Sequence, residues 1–155
     1  MSLTHEFFLL NVDFDLNNRY EWYSVNRYTW AEKSVVSDET IQYMTDFFNW
    51  VPSYNPETKV SHKGLNYYGV TIINKPGAEK LIKILGKWLE LIGEAPNTFS
   101  LRGDTIWKEE ENEEGYWEQT RNWLKRETMQ SELEVLIDLA TKASANNQLI
   151  IHFGI

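Results

Sequence analysis

The chain has 155 residues, 42% of them apolar and 25% charged, and its 15 basic and 23 acidic side chains leave a net charge of −8. That length fits one domain, residues 1–155, and the 14% aromatic content is enough for a packed core, which excludes a disordered tail or a fibre. With no Cys, disulfide scaffolds, thiolate metal sites and cysteine nucleophiles are excluded, and the acidic balance speaks against a nucleic-acid ligand. No apolar run approaches the roughly 18 to 20 residues of a membrane helix, and the N-terminus lacks a signal-peptide pattern, so a cytoplasmic protein is expected.

In chain order, His5 to Phe14 is dense in Phe, Leu and Val and reads as a strand. Asp15-Leu16-Asn17-Asn18 suits a tight turn, and the aromatic stretch Arg19 to Trp30 predicts the second strand of a hairpin. Ser37, with Asp38 and Glu39 after it, marks a helix start, the hydroxyl capping a free N–H and the acids meeting the positive end of the dipole. The helix is expected over Asp38 to Trp50, ahead of Pro52. Ile41, Met44 and Phe48 lie on one of its faces and Tyr43, Phe47 and Trp50 on another. The second row is either covered by the loop Val51 to Gly64 or open to a partner, and burial is the commoner fate.

Leu65 to Ile73 reads as a covered strand. A helix follows from about Pro76 to Ile92, where Lys80, Lys83, Lys87, Glu90 and Glu94 form one wet stripe on an otherwise apolar cylinder. Gly86 at its middle suggests close packing against the sheet, and Gly93 suggests a C-cap before Pro96. From Thr98 to Trp107 alternation predicts a half-buried strand with Phe99, Leu101, Thr105 and Trp107 on one face and Gly103 as a bulge. Tyr116 to Trp123 pairs with it or begins a helix. The last helix centres on Met129 to Ala140, starting a turn ahead of Ser131, and Leu149 to Phe153 closes the chain as a strand. The order β-β-α-β-α-β-β-α-β predicts an α+β fold with one mixed or mainly antiparallel sheet of five to six strands and about three helices, mostly on one face.

Candidate chemistry is sparse. Asp13-x-Asp15-x-Asn17 matches the start of a calcium loop, but Asn18 and Ser24 stand where Gly and Glu are required, so a plain turn is the better reading. His5, His62 and His152 lie in no metal or triad spacing, and His152 reads as an imidazole hydrogen-bonded within the closing strand. The junction Thr71 to Gly77 has a single Gly and reads as an ordinary helix start, and Arg102-Gly103-Asp104 as a coincidence. No catalytic residue, cofactor or metal is expected.

The segment Asp104 to Glu118 differs from the rest of the chain. Its seven carboxylates face Lys108 alone, a net −6 of the total −8. Glu109, Glu110, Glu111, Glu113 and Glu114 are bracketed by Trp107, Tyr116 and Trp117, with Trp123 beyond. Large aromatics within a charged rim are the composition of protein-binding hot spots, and the clustered charge would steer a basic protein partner. The bland alternative is a solvated hairpin tip whose aromatics face the core. A second alternative is a small-molecule or carboxylate-dependent site near Arg102, Asp104 and Glu118. A third is a homo-oligomer through edge strands or the Asp38 helix, so the molecule is expected to be a monomer or a weak homo-oligomer.

Size, acidity, absence of Cys, Trp richness and the Glu109 to Glu114 run together resemble the small single-domain immunity proteins encoded beside bacterial polymorphic toxins, and related antitoxin-like α+β proteins. The resemblance implies a non-enzymatic inhibitor that presents carboxylates to a basic toxin surface.

Overall fold

The structure, a computed structural model, describes residues 3–111 and 113–155, with the side chain of Asp104 outside the description. Its elements are β1 (Thr4–Asn11), α1 (Arg19–Asn26), β2 (Lys33–Ser37), α2 (Asp38–Phe48), β3 (Pro52–Asn55), β4 (Val60–Lys63), β5 (Val70–Ile73), α3 (Lys75–Gly93), β6 (Thr98–Lys108), β7 (Tyr116–Lys125), α4 (Arg126–Ala145) and β8 (Gln148–Phe153). The class is α+β, as expected. Six strands form one antiparallel sheet in the order β2-β1-β8-β5-β3-β4, while β6 and β7 form a two-stranded sheet apart from it.

The first and last strands are neighbours in the interior of the sheet, Phe8 opposite Ile151 and Leu10 opposite Leu149. Successive side chains on a strand point to opposite faces, so β1 and β8 feed two cores. Phe7, Leu9 and Ile150 pack with Ile41, Met44 and Phe48 of α2, Leu81, Leu85 and Trp88 of α3, and Leu133 and Leu136 of α4. Phe8, Leu10, Ile151 and Phe153 face the other way, toward Phe14, Trp22, Tyr23 and Trp30. Three helices therefore cover one face and α1 the other.

The stretch from Arg19 corrects the expected second strand. It folds as helix α1 because its half-buried positions, Arg19, Trp22, Tyr23 and Asn26, recur at spacings of 3, 1 and 3, a period of 3.6 rather than 2. Trp22 meets Phe8 edge-on, and Tyr23 stacks on Phe153 with centroids 4.1 Å apart. These contacts override the β-favouring residue types. Asp15 accepts a bond from the Asn17 amide at 3.0 Å, the local turn bond in place of a calcium ligand. The strand that pairs with β1 on this side is β2, which sequence alone left unassigned.

Other boundaries shift for identifiable reasons. Ser37 stands at the start of α2 but does not cap it; its hydroxyl and amide both donate to Glu132 of α4, at 3.1 Å each. The expected loop between Val51 and Gly64 contains the hairpin β3–β4 on the sheet edge, where β4 is exposed throughout and carries Lys63. The covered strand expected from Leu65 shortens to β5, since Asn66 and Gly69 close a turn. Gly86 faces open space rather than the sheet, and α3 ends at Gly93 without a left-handed cap. The polar stripe of α3 is exposed as predicted, but Leu91, 61% exposed, joins it. The aromatic row of α2 is only half covered: Tyr43 and Phe47 meet Trp88 edge-on, and Trp50 stays exposed.

Candidate functional site

Hairpin β6–β7 is anchored at its base, and the described residues of its tip from Glu109 to Glu111 and from Glu113 to Glu114 are exposed. Leu101 is buried, and Phe99 and Leu124 pack against the helical core. Beyond Arg102 the pairing register slips, with Arg102 opposite Arg121 but Thr105 opposite Gln119. The extra residue on β6 falls at Gly103, where a side chain would meet Thr120 Oγ1 at 2.3 Å. This is the bulge expected from sequence, with an effect the alternation count missed. One inserted residue flips every later side chain to the other face, so Thr105 and Trp107 leave the side of Phe99 and Leu101.

One face of the hairpin thus collects Trp107 and Trp117 as a directly opposed pair, Arg102 opposite Arg121, and Trp123 opposite Ser100. The two indoles of the pair meet edge-on with centroids 5.3 Å apart. Trp107, Trp117 and Trp123 are 48%, 67% and 68% exposed. Tyr116 lies on the reverse face, beside Lys108, whose ammonium pairs with Glu118. Glu109, Glu110, Glu111, Glu113 and Glu114 occupy the tip and are all exposed, and Trp107 Nε1 donates to Glu109 Oε1 at 2.8 Å. Of the predicted residues, the three tryptophans therefore form an indole face and the five glutamates an acidic tip, while Tyr116 falls on the reverse face. Sequence reasoning missed Arg121, whose only signal was its place two residues from Trp123.

The alternative constellation of Arg102, Asp104 and Glu118 is described in part. Glu118 pairs with Lys108 on the face turned away from Arg102, and the Asp104 side chain is outside the described residues. Arg102 instead borders a cleft of about 580 Å3 together with Glu39, Gln42, Tyr43 and Tyr67.

Behind that cleft lies a buried polar chain that sequence spacing concealed. His5 Nε2 is 3.1 Å from Asp38 Oδ1, His5 Nδ1 is 2.9 Å from His152 Nε2, and His152 Nδ1 is 3.4 Å from Thr71 Oγ1. Tyr67 OH also donates to Asp38, and Gln42 Nε2 donates to Asp38 Oδ2 at 2.7 Å. A single assignment of protons satisfies the chain: Thr71 donates to His152, His152 to His5, and His5 to the carboxylate, with both imidazoles neutral. Burial lowers the pKa of His5, opposed by Asp38, and lowers His152 well below its ordinary value, with His5 adding to the effect. Burial, and then the Asp38 carboxylate, push Tyr67 up to about 12. Each proton is already committed within the network. The network clamps α2 and the Tyr67 turn to strands β1, β8 and β5.

Among the described residues no group of three or more His, Asp or Glu side chains is placed to hold a metal ion, and no helix is long and apolar enough to cross a membrane. Compared with family models, with curated proteins and with solved structures, the chain matches none.

Proposed function

We propose that the protein is a non-enzymatic binding domain that engages a basic protein partner through hairpin β6–β7, in the manner of the immunity and antitoxin-like proteins it resembles. The observation that carries this reading is the exposure of three indoles on one face of a hairpin outside the main sheet, next to five glutamates at its tip. Indole area supplies affinity once covered, and Trp and Arg dominate truncation energies at interfaces. The glutamates supply long-range attraction and orientation, which act on the association rate and weaken with salt. A basic toxin is the class of partner that fits, and neutralising it would place the protein in the cytoplasm. The small-molecule alternative is less well supported, since Tyr67 and Gln42 on the cleft wall are engaged with Asp38.

The test is recovery of a partner from host extract with the tagged chain, followed by affinity measurements at low and high salt. Reversal of Glu109, Glu110 and Glu113 to Lys should weaken binding by about tenfold or more at low salt and flatten the salt dependence. Trp117→Ala should cost a similar factor at every salt concentration. Unchanged affinity in both variants would remove the hairpin as the contact site.

A further inference from the structure

The end of α2 and the outer side of α3 enclose a groove of about 370 Å3 with an apolar floor of Phe47, Trp50, Trp88 and Leu91. Trp50 and Leu91 are 57% and 61% exposed. Lys80, Lys83 and Lys87 line the same groove. Their spacing of three and four residues puts them on one side of the helix, where like charges repel one another unless an anion lies among them. Of the three, Lys87 has a carboxylate nearby, Glu90 at 3.5 Å, an exposed pair of little energetic weight. An occupant that satisfies this groove joins an apolar body to several negative charges. The hairpin tip has that chemistry, with Trp107 and Trp117 beside Glu109, Glu110, Glu111, Glu113 and Glu114.

We propose that the groove receives the hairpin tip of a second copy, the indoles covering its floor and the glutamates facing Lys80, Lys83 and Lys87. The inference rests on the hairpin being the binding element, as above. The two surfaces differ, so the contact is heterologous: each pair leaves one groove and one hairpin free, and association extends into chains or closes into rings. Ion pairs at an open rim are screened by salt, which makes the assembly weak and salt-sensitive. A basic partner that covers the hairpin would compete with it.

Sedimentation velocity of the full chain from about 0.01 to about 1 mM, at about 20 and about 500 mM salt, tests this. The mean mass should rise with concentration at low salt and return to that of the monomer at high salt. The variants K80E/K83E/K87E and E109K/E110K/E113K should each weaken self-association by about tenfold or more, and an equimolar mixture of the two should restore it. The control K59E/K63E/K75E carries the same net charge on other exposed lysines and should associate like wild type. A monomer under every condition, a control as weak as the groove variant, or a mixture that fails to associate would overturn the proposal. So would a monomeric wild type whose Trp fluorescence responds to dodecanoate, which would assign the groove to a small anionic amphiphile. If the hairpin variant loses the basic partner while wild type stays monomeric, only this inference falls; if partner binding is also unaffected, the hairpin reading falls with it.

Discussion

Acidification from about pH 7.5 to about pH 5.5 should destabilise the fold by on the order of 1 kcal/mol through His152 alone. This imidazole is fully buried, and its folded pKa lies well below the ordinary 6.5 because burial and neighbouring His5 disfavour the charged form. Between those two values the unfolded chain takes up a proton that the folded chain refuses. Stability is therefore complete above the unfolded pKa and falls as pH drops toward the folded one, by about 1.4 kcal/mol per pH unit. The pKa of His5 is lowered too, but Asp38 opposes the shift, so its contribution has the same sign and is smaller. Urea titrations followed by Trp fluorescence can resolve the effect, since a slope near 2 kcal/mol per M turns about 1 kcal/mol into a midpoint shift of about 0.5 M. His152→Gln keeps a donor for His5 and removes the titrating group. The variant should be less stable than wild type at the higher pH, and the gap should narrow by on the order of 1 kcal/mol at the lower one. Parallel stability profiles for the two proteins would refute the assignment of a neutral, buried His152.

Three further outcomes follow from the packing. Gly86→Ala should stabilise the protein by up to about 1 kcal/mol in the same urea assay, because the new methyl meets no atom within 4 Å and Ala is the better helix former. Glu132→Ala should cost about 1 to 3 kcal/mol, since it strips acceptors from the Ser37 amide and hydroxyl and from Thr40 Oγ1, and Glu132→Gln should cost less. On the hairpin, Leu101→Ala at the buried base should lose about 2 to 5 kcal/mol, whereas Trp117→Ala, at a 67% exposed position, should stay within about 0.5 kcal/mol of wild type. Equal losses at the two positions would mean that the indole face is part of the fold.

Local periodicity and local charge were legible in the sequence. The long helices α3 and α4, the strands β1, β6 and β8, the bulge at Gly103 and the acidic run after Trp107 all repeat or cluster over a few neighbouring residues, and backbone geometry turns such patterns into shape directly, whereas Tyr116 to Trp123 fitted a strand or a helix until its pairing with β6 made it β7. Three features depended on more distant parts of the chain. The Arg19 segment is rich in strand-favouring aromatics and became a helix because an apolar sheet face composed of Phe8 and Phe153 was there to cover. The start of α2 took its acceptor from Glu132, ninety-five residues away from Ser37. The chain of Thr71, His152, His5, Asp38 and Tyr67 draws on four separate elements and the turn before β5, and no spacing rule encodes it. The candidate site lies between these cases. Sequence located its charge and its tryptophans, but which face the indoles occupy was decided by a single inserted residue, because a strand has a period of two and one extra residue reverses everything beyond it.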